Sequence, residues 1–166
     1  MALPKMEGKV WKFGDSISTD YILPGFTRGS TAQERASFCM QAIRPEFAGE
    51  VRPGDVIVGG KNFGCGSSRP APANLLTLGL GCVVAESFGR IFFRNSVNMG
   101  FPVFICKGVD AAFKEGDLLH VDIEAWEIKN LTNGKVLKLE PLPEVAMRIL
   151  SSGGILALLK QEYGKS

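Results

Sequence analysis

The sequence predicts an α/β domain with a mixed sheet, spanning residues 1–166 as a single unit. Short β-branched runs at 56–58, 82–86 and 103–106 alternate with stretches of helical character. After Asp110 the texture changes: DLLHVDIEAWEIKNLTNGKVLKLEPLP alternates with period two, the pattern of half-buried strands. Asn133-Gly134 within that stretch marks a tight hairpin turn. Strand–helix alternation followed by an antiparallel C-terminal patch fits a mixed sheet with helices.

Residues 9–13 (KVWKF) form the first expected strand. A loop follows, GDSISTDYILPGFTRGS, rich in Gly, Ser, Thr and Asp. Ser30 opens a helix, with Gln33 as its capping-box partner. Ala32, Ala36, Cys39, Met40 and Ile43 share one helical face, and Pro45 closes the helix. Val56–Val58 is a buried strand, and Gly59 to Ser68 a glycine-rich loop. Pro70 to Leu78 reads as a helix that begins with prolines and stops at Gly79. CVVAE at 82–86 is a further buried strand, Ser87 caps a helix that ends near Gly100, and VFIC at 103–106 is the fourth apolar strand. From Pro143 the tail reads as one or two short helices broken at Gly153-Gly154.

Composition narrows the function. At 166 residues, 45% of them hydrophobic, the chain can bury a core of its own. A net charge of +2 makes no electrostatic case for nucleic acid. No apolar run approaches the ~18 residues of a membrane span, and MALPKMEGKVWKF lacks the apolar stretch of a signal peptide, so a cytoplasmic protein is expected. The four cysteines, Cys39, Cys65, Cys82 and Cys106, form no CxxC pair, which argues against a disulfide scaffold and against a zinc or iron–sulfur site held by this chain. The single histidine, His120, lies in an expected strand as a surface or interface residue, far in sequence from any candidate nucleophile.

The chemistry concentrates in GGKNFGCGSSRPAPANLLTLGLG, which follows a buried strand and opens a helix. Its glycines let backbone amides approach a ligand, a helix N-terminus adds partial positive charge, and Arg69 adds a planar cation suited to carboxylate. The phosphate fingerprints fail. Gly64, Gly66 and Arg69 miss the third glycine of GxGxxG; Gly60-Lys61 has Asp55 where a P-loop has its first glycine, and no Ser or Thr follows the lysine. A carboxylate fits this anion site at least as well as a phosphate. Ser67 and Ser68 at the turn have two readings: one caps the helix while the other is solvated, or one hydroxyl acts as a base. The second needs amide donors, a helix terminus and a guanidinium to converge on it.

GDSISTDYILPG, then GGKNFGCGSSR, then AESFGRIFFRNSVNMGFPVF, in that order, resemble the small subunit of 3-isopropylmalate dehydratase and, more broadly, the swivelling domain of the aconitase superfamily. The resemblance implies a three-layer β/β/α fold. It implies reversible dehydration of a hydroxy-acid, a reaction that needs a base beside a carboxylate and a Lewis acid for the departing hydroxide. In the family that Lewis acid is an iron of a [4Fe–4S] cluster. With no cysteine cluster here, a separate large subunit would carry it, in a heterodimer or heterotetramer. By carry-over, Ser67 matches the serine base and Asp20, in STDYI, the active-site aspartate. Ser68 and Arg69 match substrate-carboxylate ligands. Gly66, Cys65 and Arg28 complete the expected substrate-binding set, Cys65 by packing beside the base. Arg90 and Arg94 would support the loop or the interface.

Two segments depart from the family pattern. SSRPAPA stands where SSREHA is usual, which removes an acid and a histidine. GFTRGS stands where isopropylmalate enzymes carry ARYL-like sequence, in the segment that sets substrate choice. The leading expectation is isomerisation of 3-isopropylmalate through isopropylmaleate in leucine biosynthesis, on a small dicarboxylate or tricarboxylate substrate. The alternatives are a homocitrate, methylcitrate or dimethylmalate hydratase subunit, and a carboxylate- or phosphate-binding module without catalysis.

Overall fold

A computed structural model describes residues 3–67 and 69–164. The parallel half of the sheet comprises β1 (Met6–Lys12), β2 (Val56–Gly59), β3 (Cys82–Ala85) and β4 (Val103–Ile105). The antiparallel half comprises β5 (Leu118–Asp122), β6 (Glu127–Asn130) and β7 (Val136–Lys138). The strand order is β4-β3-β2-β1-β5-β6-β7. β1 joins the halves: Met6–Lys9 pairs antiparallel with β5, and Val10–Lys12 pairs parallel with β2.

The helices are α1 (Thr19–Ile22), α2 (Ala32–Ala36), α3 (Phe47–Glu50), α4 (Pro72–Thr77), α5 (Arg90–Asn98), α6 (Val109–Ala112), α7 (Glu144–Ser151) and α8 (Ile155–Tyr163). Alternation along the buried strands divides two cores. Ile57, Val83 and Ala85 face one way, onto Phe47, Leu75, Phe92, Val97 and Ile149 of the helices. Val56, Val58, Cys82 and Val84 face the other way, onto Phe113, Leu119, Val121 and Ile128 around the antiparallel strands. Helices, parallel strands and antiparallel strands thus form the β/β/α layering that the sequence resemblance implies.

Several boundaries differ from the sequence reading, each for a local reason. The first strand begins at Met6 because its leading half is recruited by β5. The capping box of α2 sits one residue later than expected. Thr31 Oγ1 accepts from Glu34 N at 3.1 Å and Thr31 N donates to Glu34 Oε2 at 3.2 Å. Those backbone donors, Thr31 first and then Ser30, hold the Glu34 carboxyl below its usual range. α2 stops at Ala36 instead of running to Ile43: Met40 adopts a left-handed φ of 61° to bury its side chain, and its N–H bonds Tyr21 O at 2.8 Å. The expected helix at 70–78 is α4, six residues with Pro72 at its first turn. Gly89, not Ser87, is the N-cap of α5. The Asn133-Gly134 hairpin and the helix break at Gly153-Gly154 are as expected. The period-two stretch is interrupted by a turn with Trp126 at φ 52°, and α1, α3 and α6 are short helices that its sequence pattern did not signal.

Gly8 sits on β1 where the two halves meet. A Cβ there would lie 1.9 Å from Gly54 O, a backbone atom of the turn leading into β2. Gly8→Ala is therefore expected to lower stability by about 2–3 kcal/mol, the usual cost of forced overpacking. Chemical denaturation of the isolated chain measures this, and an unchanged midpoint would show that the turn moves freely.

Candidate active site

The loops that leave β1, β2 and β3 emerge at the same end of the parallel strands, the end where α/β proteins place their ligands. Backbone hydrogen bonds lace them together. Phe13 N bonds Val58 O at 2.9 Å and Ser16 N bonds Lys61 O at 2.7 Å. Gly64 N bonds Ile17 O at 2.6 Å and Thr19 N bonds Cys65 O at 2.8 Å, around a parallel bridge between Ser18 and Cys65. On the other side Phe63 N bonds Ser87 O at 3.0 Å and Gly89 N bonds Phe63 O at 2.9 Å. Ser87 Oγ accepts from Asn62 N at 2.9 Å, so the residue expected to cap a helix fastens a loop instead.

Two glycines make this approach possible. Gly64 has φ +79°, and a Cβ on it would lie 2.2 Å from Phe92. Gly66 has φ +111°, and a Cβ on it would meet Thr19 Oγ1 at 3.2 Å. Phe63 holds the far side, edge-on to Phe88 and Phe92 at centroid distances of 6.1 and 5.6 Å.

This scaffold presents Ser67, exposed at the lip. Thr19 Oγ1 lies 3.4 Å from both Ser67 Oγ and Ser67 O. The next residue, Asp20, pairs with Arg69: Nη1 to Oδ1 is 3.2 Å, with the side chains 34% and 68% exposed respectively. A Cβ on Gly25 would stand 3.9 Å from the same Nη1, which brings the GFTRGS loop beside the guanidinium. Arg28, on that loop, is exposed and makes no ion pair among the described residues. Ser68 lies outside the described residues.

The sequence-predicted set thus comes together in part: Ser67, Asp20, Arg69, Gly66 and Cys65 share one lip. Two expectations change. Ala71 is the N-cap of α4, four residues beyond Ser67, so Ser67 does not cap that helix. The helix start beside the glycine-rich loop belongs to α5: Gly89, Arg90, Ile91 and Arg94 line a cleft of about 530 Å³ with Gly64, Cys65 and Gly66. The sequence could not place α5 there, because the contact spans some 25 residues and runs through a bridge between Phe63 and Phe88. Thr19 was also overlooked. Its only sequence signal is its place before Asp20 in STDYI.

A family model described as the aconitase C-terminal domain matches residues 30–105. The chain is 50% identical over 163 residues to the isopropylmalate/citramalate isomerase small subunit of Methanocaldococcus jannaschii, covering 97% of each. The chain belongs to the small-subunit family of the 3-isopropylmalate dehydratases, in the aconitase superfamily. Another relative is the methanogen homoaconitase small subunit of Methanothermobacter thermautotrophicus, 46% identical over 153 residues, which are 91% of this chain and 88% of the relative. A crystal structure of 3-isopropylmalate dehydratase from Methanocaldococcus jannaschii matches with a TM-score of 0.91 at 38% identity, covering 96% of this chain and 95% of that one. The family consists of hydro-lyase small subunits, and in this member Ser67, Arg69 and Asp20 stand on adjoining loops.

Its thiols do not suit an iron–sulfur cluster. Cys39 lies in the helix-side core, Cys82 and Cys106 lie in the core across the sheet, and Cys65 is half-buried at the lip. Among the described residues no three His, Cys, Asp or Glu side chains converge on a common point. No helix there is long and apolar enough to cross a membrane. His120 pairs across the strands with Glu7, its Nδ1 3.2 Å from Oε1, on the antiparallel half and away from the lip.

Burial pushes the Cys82 thiol up to about 12. Burial, reinforced by the Glu86 and Glu140 charges, does the same for Cys106. Burial also raises Cys39 strongly. These three stay protonated at pH 8, and an alkylating reagent acts on thiolate. Iodoacetamide at pH 8 is therefore expected to modify Cys65 first in the native chain and all four cysteines after denaturation, as read by mass spectrometry. Equal native labelling of all four would contradict the packing.

Proposed function

We propose that this chain is the small subunit of a two-chain hydro-lyase that interconverts 3-isopropylmalate and 2-isopropylmalate through isopropylmaleate, a step of leucine biosynthesis, working in the cytoplasm. The observation that carries this reading is the lip itself: one exposed serine hydroxyl, 3.4 Å from a buried threonine hydroxyl, beside an arginine that meets an aspartate at 3.2 Å.

Dehydration removes a proton from a carbon beside a carboxylate and hydroxide from the neighbouring carbon. In this reading Ser67 Oγ takes the proton. The electron pair moves first into the carboxylate, as an aci-carboxylate, and then into the new double bond as hydroxide leaves. Rehydration runs in the opposite sense with the two carbons exchanged: water supplies the hydroxyl, and the serine returns a proton to carbon. Arg69 holds a substrate carboxylate. Its guanidinium has five N–H donors, and the Asp20 contact leaves most of them free for a second carboxylate. Asp20 fixes the plane of that guanidinium and balances its charge. Ser68, the neighbour of both, is assigned to the same carboxylate. Gly66 and Cys65 shape the floor.

A [4Fe–4S] cluster on the large subunit would supply the Lewis acid for the departing hydroxide. Its carrier must then meet this chain at the lip, in a heterodimer or a heterotetramer.

A homocitrate-type tricarboxylate is the second reading. It rests on Arg28, an exposed cation on the loop beside Arg69 that could take an additional carboxylate. Assaying the reconstituted enzyme anaerobically on a panel of substituted malates and maleates separates the two.

In the same assay Ser67→Ala is expected to lower kcat by about a thousandfold, within the span of a lost general base, while the subunits still assemble. Near-full turnover would remove the serine from the mechanism. Arg69→Lys is expected to raise KM by about 10- to 100-fold, the worth of one charged hydrogen bond. An unchanged KM would detach Arg69 from the carboxylate.

A further inference from the structure

Thr19 brings a side chain of the β1 loop against the Ser67 hydroxyl of the β2 loop. It is 1% exposed, at the first position of α1. Its backbone N–H is committed to Cys65 O at 2.8 Å. That bond, beside the bridge between Ser18 and Cys65, fixes the main chain that carries the hydroxyl, and the buried β-branched side chain has few χ1 rotamers open to it. That hydroxyl stands 3.4 Å from Ser67 Oγ and 3.4 Å from Ser67 O. A Cβ on Gly66 would stand 3.2 Å from that hydroxyl, so the glycine leaves room for it.

A serine hydroxyl rotates about two bonds, and at an exposed lip water competes for every rotamer. A second hydroxyl, itself buried and fixed, supplies one direction that water does not. Contacts of 3.4 Å are long for O–H···O, as they often are before substrate binds.

We infer that Thr19 is a positioning residue for Ser67: its hydroxyl hydrogen-bonds the serine side chain and holds Oγ in the rotamer that faces the substrate carbon. Thr19 takes no proton itself and acts through Ser67 Oγ. The inference rests on Ser67 being the base, and Thr19's effect passes through that residue. A one-ångström misplacement of a reacting group typically costs about 100-fold in rate.

The test uses the chain reconstituted with its large subunit and compares Thr19→Val, Thr19→Ser, Thr19→Ala and Ser67→Ala. The readouts are kcat and KM, the rate of solvent-deuterium incorporation at the substrate carbon, and thermal stability of the small subunit. Thr19→Val keeps the shape and removes the hydroxyl. It is expected to lower kcat and deuterium incorporation together by about 10- to 100-fold, with KM within about threefold. Thr19→Ser restores the hydroxyl and is expected to recover kcat to within about threefold of the parent. If Thr19→Val does not fold, Thr19→Ala against Thr19→Ser carries the same comparison. Parental kcat in the hydroxyl-free variants, with Ser67→Ala inactive, would overturn the role of Thr19 and leave the serine assignment standing. Equal losses in Thr19→Ser and Thr19→Val would also overturn it, since packing would then explain the effect. Near-full turnover in Ser67→Ala would overturn the underlying reading instead.

Discussion

The site depends on two parallel strands that go on pairing after they have ceased to be strands. β1 and β2 end at Lys12 and Gly59, yet main-chain hydrogen bonds between their continuations run on through Gly14 to Thr19 on one side and Gly60 to Cys65 on the other. Each is worth about 1 kcal/mol net, and more is lost if a buried partner is left bare. Their number matters less than their consequence. The functional loop is fixed by backbone, so the side chains at its tip are free for chemistry. Gly64 and Gly66 are what permit so close an approach, and Phe63, Phe88 and Phe92 anchor the loop from below.

Electrostatics at the lip is arranged around the same constraint. A salt bridge as exposed as that between Arg69 and Asp20 adds little to stability. Its value is directional: Asp20 belongs to the β1 loop and Arg69 to the β2 loop, so the pair sets the guanidinium relative to a serine that the same two loops position. Arg90 and Arg94, in the first two turns of α5, line the cleft beside Gly64, Cys65 and Gly66 and give it a positive wall.

Much of this was legible in sequence, and the rest was not for identifiable reasons. β2, β3 and β4 declared themselves because strands buried on both faces must be continuously apolar. The hairpin at Asn133-Gly134 and the break at Gly153-Gly154 were visible because their turn chemistry is local. The extent of α2 was misread: Ala36, Cys39 and Met40 are buried together as the periodicity implied, but the chain turns through Met40 to do it. The serine, arginine and aspartate could be named from GCGSSR and STDYI. What the motifs could not tell was which helix borders them. Proximity in sequence pointed to α4, whereas the pairing of Phe63 with Phe88 brings α5. Thr19 escaped for the same reason, since a buried threonine acquires meaning only when a loop more than 40 residues away lies against it.

The exposure of Ser67 is the strongest physical reason for dividing the proposed reaction between two chains. A serine hydroxyl facing water is no base: the alkoxide is too unstable, and water screens the arginine that would favour it. The lip therefore reaches its proposed strength only when another surface covers it, excludes solvent and lets the fixed dipoles act at low dielectric. In that reading the covering chain does two things in one motion, dehydrating the base and bringing the electrophile opposite it. Main-chain bonds between the continuations of β1 and β2, with one buried hydroxyl against the serine, give the lip a shape that does not depend on ligand contacts.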